Sequence, residues 1–285
     1  MSDLRDSAPT PAPRAHVRIV AVLATRNEER FIAGCLENLF RQGVHVYLCD
    51  NDSTDRTTEI ASRYLGAGLV GIETIPFGGT YCWEHILRRK EALFHALDAD
   101  WVMHVDADEI HLPPMGHASI AAAITAVDAL GYDAVEFSEF TFVPTRESSD
   151  HDHADFRDTL RTYYPFRPSS PHCVRAYRKQ PGPMEIAWSG GHRVRFEHEV
   201  RLYPEPFRMK HYLFLSTEHA ARKYPGRLYL ADEVERMGWH GWRPRLRPGQ
   251  IRLPGGDSVR TTANDDDLDS SNPWKQHWLD LCAAT

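Results

Sequence analysis

Mainly apolar runs alternate with amphipathic helical stretches over the first half of the sequence. Residues 17–24 form such a run, as expected for a strand buried on both faces. Residues 28–41 follow with apolar side chains at helical spacing, and Asn27 stands where a capping residue for this helix is expected. The alternation continues with predicted strands at 44–49, 69–75, 101–105 and 134–140 and predicted helices at 57–65, 81–97 and 118–130. This pattern predicts an α/β fold in which helices flank a mainly parallel sheet.

Three of the predicted strands end in clusters of polar side chains, at residues 25–28, 50–52 and 106–109. In parallel sheets, ligands bind beyond the carboxyl ends of the strands. Asp106 and Asp108 are two residues apart, which places both on one side of a continuing strand or in its exit loop. Two hard oxygen donors at this spacing suit Mg²⁺ or Mn²⁺ and leave coordination positions for water and phosphate. The last cluster therefore predicts a metal–diphosphate site, with an acidic turn as the alternative interpretation.

The same clusters also predict nucleotide binding. Asp50 or Asp52 is suited to accept hydrogen bonds from a nucleobase imide or a ribose hydroxyl. No G-x-G-x-x-G motif follows the first predicted strand, so the sequence lacks the phosphate loop of dinucleotide-binding proteins. The basic run at 88–90 lies on the helix before the acidic cluster. We expect one of its side chains, with Lys90 as the candidate, to assist the phosphate charge, and the others to form a solvated helix face.

Composition argues against several classes of function. A net charge of −7 disfavours a broad nucleic-acid-binding surface. No apolar run approaches the roughly 18 residues that a membrane-spanning helix needs. The proline-rich residues 1–15 lack the apolar region of a signal peptide, so we expect a disordered leader there. The five cysteines are scattered and never in C-x-x-C spacing, which indicates free thiols. Together these features predict a soluble cytoplasmic protein.

Segments 23–29, 50–55 and 106–109 together resemble the family 2 glycosyltransferases, whose nucleotide-sugar-binding core has the GT-A fold. The resemblance is closest to a bacterial branch of that family. Further segments that carry it are 76–83, 86–91, 131–135, 189–192, 210–212, 222–223 and 238–240. It implies a GT-A-type, mainly parallel sheet flanked by helices, with a mixed α/β extension on the acceptor side.

The predicted domain organisation follows from this resemblance, which ends near residue 245. It comprises the leader at 1–15, a nucleotide-sugar-binding core at 16–145, an acceptor-side and metal-completing part of the same domain at 146–245, and a C-terminal tail at 246–285. The tail contains an acidic run at 264–271 that we interpret as a solvated linker.

The resemblance also implies roles for particular residues. Asp106 and Asp108 match the metal-binding D-x-D motif, which holds the diphosphate of a nucleoside-diphosphate sugar through Mn²⁺ or Mg²⁺. His211 lies where a downstream histidine returns to the metal or the diphosphate in related folds. The residues assigned to donor binding are Thr25, Arg26, Asn27, Glu28, Asp50, Asp52, Lys90 and Asp106.

The implied reaction is a single in-line displacement at the anomeric carbon, with inversion of configuration. A carboxylate or an imidazole must remove the proton from the acceptor nucleophile. We favour Glu109 or His192 as the catalytic residue because each borders a motif, and Glu185 and Glu197 remain alternatives. His192 follows two glycines and is also placed to contact the phosphate or the metal.

Two other functions are compatible with the sequence. A nucleotidyltransferase also combines a nucleotide-binding α/β core with a two-carboxylate metal site, but it usually carries a Gly-rich loop after the first strand, which residues 25–29 lack. A non-catalytic carbohydrate-binding protein could share the fold without the activity. The acceptor is not identified: a glycan, a lipid, a peptide and a small molecule all remain open. Peripheral membrane contact is expected only with a lipid-linked acceptor.

Overall fold

The computed structural model describes residues 17–284, so the leader predicted for 1–15 lies outside the described residues. The ten strands of this part of the chain are β1 (Ile19–Thr25), β2 (His45–Asp50), β3 (Leu69–Thr74), β4 (Trp101–Asp106), β5 (Glu109–Leu112), β6 (Ala134–Phe142), β7 (Thr162–Phe166), β8 (Val174–Arg178), β9 (Phe207–Tyr212) and β10 (Arg260–Thr261). Its eight α-helices are α1 (Ile32–Arg41), α2 (Thr57–Ser62), α3 (Trp83–Ala96), α4 (Ile120–Ala129), α5 (Phe156–Thr159), α6 (Thr217–Lys223), α7 (Ala231–Glu235) and α8 (Trp278–Ala283).

The strands form one mixed sheet with the order β10-β7-β6-β8-β4-β1-β2-β3. β1 lies between β2 and β4 and is parallel to both, and β3 extends this parallel part beyond β2. Past β4 the pairing is antiparallel through β8, β6, β7 and β10. β9 pairs parallel with β6 and antiparallel with β5. The predicted parallel α/β core with a mixed extension is confirmed.

The alternation of side chains along β1 builds the core on both faces of the sheet. Ala21 and Leu23 pack in the cluster that contains Leu36 of α1, whereas Val22 packs in the cluster that contains Leu87 of α3. All five side chains are 0% exposed. Burial on both faces explains why the sequence of β1 is an apolar run. It also places β1 and its neighbour β4 at the centre of the domain.

The helix cap predicted at Asn27 is wrong. α1 begins at Ile32, and Asn27 has a left-handed backbone with φ +56°. Its side-chain oxygen accepts the Thr54 N–H at 2.8 Å, and its own N–H donates to the Ser53 hydroxyl at 2.9 Å. Asparagine tolerates this backbone conformation better than most residues. Asn27 therefore joins the loop after β1 to the loop after β2.

The acidic run predicted as a solvated linker is anchored to the sheet. Lys210 Nζ donates to Asp265 Oδ1 at 2.9 Å, and Arg208 donates to the Asp265 carbonyl oxygen at 2.7 Å. Further along, the Trp274 ring stacks on the Tyr164 ring with centres 4.3 Å apart. The segment after residue 246 thus packs back onto β7 and β9.

Within residues 17–284, no helix combines the length and the apolar composition needed to cross a membrane.

Candidate functional site

A cavity of about 410 Å³ opens where β1 and β4 end. Thr25 at the end of β1 and Asp106 at the end of β4 line it, together with Asp108 and Glu109 from the segment that follows β4. The chain from β6 onward contributes Glu139, His172, Arg175, His192, His211, Lys223, Arg227, Arg243 and His277 to the lining. The acidic cluster therefore shares one cavity with many histidine and basic side chains.

Sheet pairing explains why Asp108 and His211 meet. After β4 the chain turns at residues 107–108 and continues as β5, which pairs antiparallel with β9. In this register Glu109 lies opposite His211, and the Tyr212 N–H donates to the Asp108 carbonyl oxygen at 2.8 Å. His211 Nε2 lies 3.6 Å from Asp108 Oδ2 as a result. The two residues are 103 positions apart in the chain but adjacent in the sheet.

Two cationic groups hold the Asp108 carboxylate. Lys223 Nζ donates to Asp108 Oδ2 at 2.7 Å and lies 3.4 Å from Glu28 Oε1. Burial alone would raise the pKa of Asp108, but Lys223 and His211 hold that pKa well below its ordinary range. Burial would lower the pKa of His211, but Asp108 and Glu139, whose Oε1 lies 2.7 Å from Nδ1, raise it to about 10. His211 is therefore positively charged at neutral pH.

Arg175 on β8 balances the charges of the other two carboxylates of the acidic cluster, Glu109 and Asp106. Its Nη2 lies 2.5 Å from Glu109 Oε1 and 3.5 Å from Asp106 Oδ2. Glu109 is 2% exposed, and burial raises its pKa to about 7 although Arg175 opposes the shift. Glu109 Oε2 also accepts the Asp106 N–H at 3.1 Å. Both oxygens of Glu109 therefore have partners, and the residue holds the backbone of Asp106 in place.

Lys90 lies beneath the acidic cluster and outside the cavity lining. Its side chain is 0% exposed, and Nζ donates to the Val105 carbonyl oxygen at 3.0 Å. The same atom lies 3.2 Å from His104 Nδ1 and 3.7 Å from Asp106 Oδ1. The direct phosphate contact expected for Lys90 does not fit this position, because α3 packs the side chain against β4. The buried ammonium group instead balances the charge of the Asp106 carboxylate.

Three of the other residues expected to bind the donor line the cavity, namely Thr25, Arg26 and Glu28. Arg26 Nη1 donates to the Asn51 carbonyl oxygen at 2.6 Å, which ties the end of β1 to the loop after β2. Glu28 shares Lys223 with Asp108, so the first polar cluster and the acidic cluster are joined through one lysine.

Asp50, Asp52 and Asn27 lie outside the cavity lining. Asp50 is 2% exposed, and its carboxylate accepts the Ser53 N–H at 2.8 Å and the Thr25 hydroxyl at 3.4 Å. Asp52 has a left-handed backbone with φ +62° and lies in the loop that Asn27 holds. In this structure the three residues shape the loops beside the cavity, and direct contact between them and a donor stays a prediction.

His192, one of the two candidate catalytic residues, lines the cavity and stacks on His172 with ring centres 4.9 Å apart. Gly190 and Gly191, with φ of +66° and +91°, form the tight turn before it. Desolvation inside the cavity lowers the pKa of His192, and the neighbouring His172 and Arg175 act in the same direction, although the side chain is exposed to the cavity. The His192 ring is therefore neutral at neutral pH.

Several site residues had no assigned role in the sequence analysis, namely Glu139, His172, Arg175, Lys223 and His277. Lys223 lay in a segment that carried the family resemblance, but its partner Asp108 is 115 positions away. Arg175 is 66 positions from Glu109. No local spacing in the sequence relates such pairs, so only the fold reveals them.

Residues 20–129 match the family model described as Glycosyl transferase family 2. No curated protein gives a match to the sequence.

Several solved structures are similar to the chain. TarS 1–349 from S. aureus, in complex with UDP, has 13% identity over 69% of this chain and 61% of that chain, with a TM-score of 0.45. The mannosyltransferase PcManGT from Pyrobaculum calidifontis, in complex with GDP-Man and Mn²⁺, has 18% identity over 72% and 60%, with a TM-score of 0.38. Glucosyl-3-phosphoglycerate synthase from Mycobacterium tuberculosis, in complex with Mn²⁺, UDP and glucosyl-3-phosphoglycerate, has 22% identity over 44% of each chain, with a TM-score of 0.28. The chain therefore spans less than two thirds of the length of these structures.

The ion pair between Arg175 and Glu109 should show strong energetic coupling. Arg175→Met should lower the free energy of unfolding by about 3–5 kcal/mol, because it leaves a buried carboxylate without its cation. Glu109→Gln alone should also destabilise, because it leaves Arg175 without its closest carboxylate. The double variant should be more stable than the sum of the two losses predicts, by about 1 kcal/mol or more. Urea denaturation followed by circular dichroism measures these values, and strictly additive losses would contradict the coupling.

The metal binding that the sequence predicts at His211 should release a proton. With its pKa near 10 in the metal-free chain, the ring must lose one proton before Nε2 can coordinate a cation. The apparent affinity for Mn²⁺ should therefore rise by about tenfold for each pH unit from about pH 6 to pH 9. Calorimetry in buffers of different ionisation enthalpy counts the released proton. His211→Gln should remove it, and an affinity independent of pH in the unaltered chain would refute the assignment.

Proposed function

Because residues 20–129 match the model of glycosyl transferase family 2, we propose that this chain is a metal-dependent, inverting glycosyltransferase that moves a sugar from a nucleoside-diphosphate sugar to an acceptor. The chain has the GT-A-type arrangement of a mainly parallel core with a mixed extension. The observation that carries the proposal is the cavity at the ends of β1 and β4, in which Asp108 contacts His211 and Lys223 and Asp106 lines the same cavity beside Arg175.

Asp106, Asp108 and His211 are the side chains that would hold the metal ion. Carboxylate oxygens and one imidazole nitrogen suit Mn²⁺ well and Mg²⁺ acceptably. When bound, the cation supplies positive charge that stabilises the departing nucleoside diphosphate. Lys223 and the protonated His211 balance the charge of Asp108 in the metal-free chain, so the cation would replace the Lys223 contact and the His211 proton when it binds.

The donor is expected to lie between the loop after β1 and the basic side chains of the second half of the chain. Thr25 and Glu28 offer polar groups to the nucleoside side of the cavity, while Lys223, Arg227 and Arg243 offer cations to phosphate oxygens. A diphosphate without a glycine-rich loop needs such cations in addition to the metal. Their common position in one cavity supports a diphosphate-bearing donor.

We assign proton removal from the acceptor to His192 in preference to Glu109. Glu109 is nearly inaccessible and has Arg175 and the Asp106 N–H on its two oxygens, so it is a positioning residue. His192 lines the cavity and is exposed there, so an acceptor hydroxyl can reach a ring nitrogen, which it cannot do at the enclosed Glu109 carboxylate. The acceptor hydroxyl would lose its proton to His192 as its oxygen attacks the anomeric carbon, and inversion at that carbon follows from a single displacement.

The acceptor class stays open among glycans, lipids, peptides and small molecules. The cytoplasmic location also stays a prediction, as does peripheral membrane contact with a lipid-linked acceptor.

Asp106→Asn and Asp108→Asn should abolish metal-dependent donor binding and turnover. In the unaltered chain, a panel of UDP- and GDP-sugars should include one that raises the melting temperature only with Mn²⁺, because a ligand of the native state stabilises it. Each variant should lose that shift and reduce release of nucleoside diphosphate by about a hundredfold or more. Asp98→Asn, at a side chain that is 90% exposed, is the matched control. Metal-independent glycan binding without turnover would favour a binding protein, and release of pyrophosphate would favour a nucleotidyltransferase.

His192→Gln should lower kcat/KM by a factor of about 10²–10⁴ and leave the Kd for the nucleoside diphosphate unchanged, because the ring acts on the acceptor. Hydrolysis of the donor provides an assay that needs no identified acceptor, since water then loses the proton. The exposed His45, changed to Gln, is the control. Full activity of His192→Gln would overturn the assignment.

A further inference from the structure

We propose that His172, Cys173 and His192 form a binding site for a borderline-soft divalent metal ion, Zn²⁺ in particular, distinct from the D-x-D site. In the part of the chain that the structure describes, these three residues offer ligand atoms that all lie within 4.8 Å of one another. A tetrahedral zinc ion has bonds of about 2.0–2.3 Å to nitrogen and sulfur, so small side-chain rotations would bring the three atoms into coordination.

The backbone fixes the three residues relative to one another. His172 and Cys173 immediately precede β8, and the Val174 N–H donates to the His192 carbonyl oxygen at 2.9 Å. Gly191 holds the turn before His192, and a Cβ there would come within 3.1 Å of the His104 ring. The backbone hydrogen bond joins the two segments, and the His172 and His192 rings stack with an interplanar angle of 22°.

One buried nitrogen of this group lacks a well-formed hydrogen bond, and its nearest polar neighbour is a carboxylate. His172 is 7% exposed, and its Nε2 makes no hydrogen bond to any residue in the described range, although Glu139 Oε2 lies 3.4 Å away. Buried polar atoms of this kind are uncommon and require an explanation. A coordinated metal ion would satisfy Nε2.

The donor set selects the kind of metal. One sulfur and two imidazole nitrogens suit Zn²⁺, whereas Mg²⁺ and Mn²⁺ prefer carboxylate oxygens. Cys173 is 1% exposed, but His192 lines the cavity, which provides an entry path and an open coordination position on that side. Three protein ligands with one open position are typical of a catalytic zinc site or an exchangeable one.

Glu139 links this site to the D-x-D site. Its Oε2 lies 3.4 Å from His172 Nε2 and 3.5 Å from Cys173 Sγ, while its Oε1 lies 2.7 Å from His211 Nδ1. One carboxylate therefore contacts ligands of both sites. A cation at the His172–Cys173–His192 site would also occupy a nitrogen of His192, so Zn²⁺ should inhibit turnover. That consequence rests on the proposed function, whereas metal binding itself does not.

Co²⁺ titration of the reduced, metal-free chain tests the site, because Co²⁺ replaces Zn²⁺ and reports thiolate ligation by a charge-transfer band in the near ultraviolet. One equivalent should produce the band, and Zn²⁺ should remove it. Cys173→Ser should abolish it, whereas the control Cys82→Ser should retain it. His192→Ala removes a ligand at the cavity surface, where folding is little affected, and should weaken Co²⁺ binding by about tenfold or more.

Asp106→Asn with Asp108→Asn should retain the cobalt band, because this site does not use those residues. A chain that shows the band but no donor turnover would count against the proposed function and support the zinc site. Absence of the band in the unaltered chain, or its persistence in Cys173→Ser, would overturn the proposal.

Discussion

The acidic turn after β4 depends on cations that other parts of the chain supply. Removing carboxylates from water costs several kcal/mol unless opposite charges are well placed beside them. The required charges come from Lys90 on α3, Arg175 on β8, His211 on β9 and Lys223 at the end of α6. Balancing this turn therefore constrains how β8, β9 and α6 pack against the parallel core. The packing of the second half of the chain therefore also determines the charge balance of the site.

Most of the parallel core could be predicted because its signals are local. Each predicted strand of the first half lies within two residues of an observed one, since a strand buried on both faces needs an apolar run. The helix cap at Asn27 failed because its side chain binds Thr54, 27 positions away, and a capping pattern contains no such information. The prediction of a solvated linker at 264–271 missed the contacts of Asp265 for the same reason, since its partners are Arg208 and Lys210 on β9.

In the candidate site, too, the residues with local sequence signals could be predicted, and those that depend on distant contacts could not. Asp106 and Asp108 are adjacent to a strand end and form a motif, and family resemblance singled out His211. Lys90 shows the limit of this approach, because the basic run predicted that it contacts phosphate, whereas the packing of α3 on β4 buries its side chain. Arg175 gave no signal at all, because its role exists only where β8 runs antiparallel beside β4.

The histidines of the cavity show how environment sets function when the side chain is the same. His211 lies between Asp108 and Glu139 and has its pKa raised to about 10, whereas desolvation lowers the pKa of His192 and of His277. The charged ring substitutes for a cation beside the D-x-D carboxylates, which lets the metal-free chain bury them. The neutral rings keep lone pairs available to a proton or a soft metal ion. Carboxylate placement thus divides one cavity into a side with carboxylates, where we propose that a hard cation binds, and a side that offers neutral nitrogen.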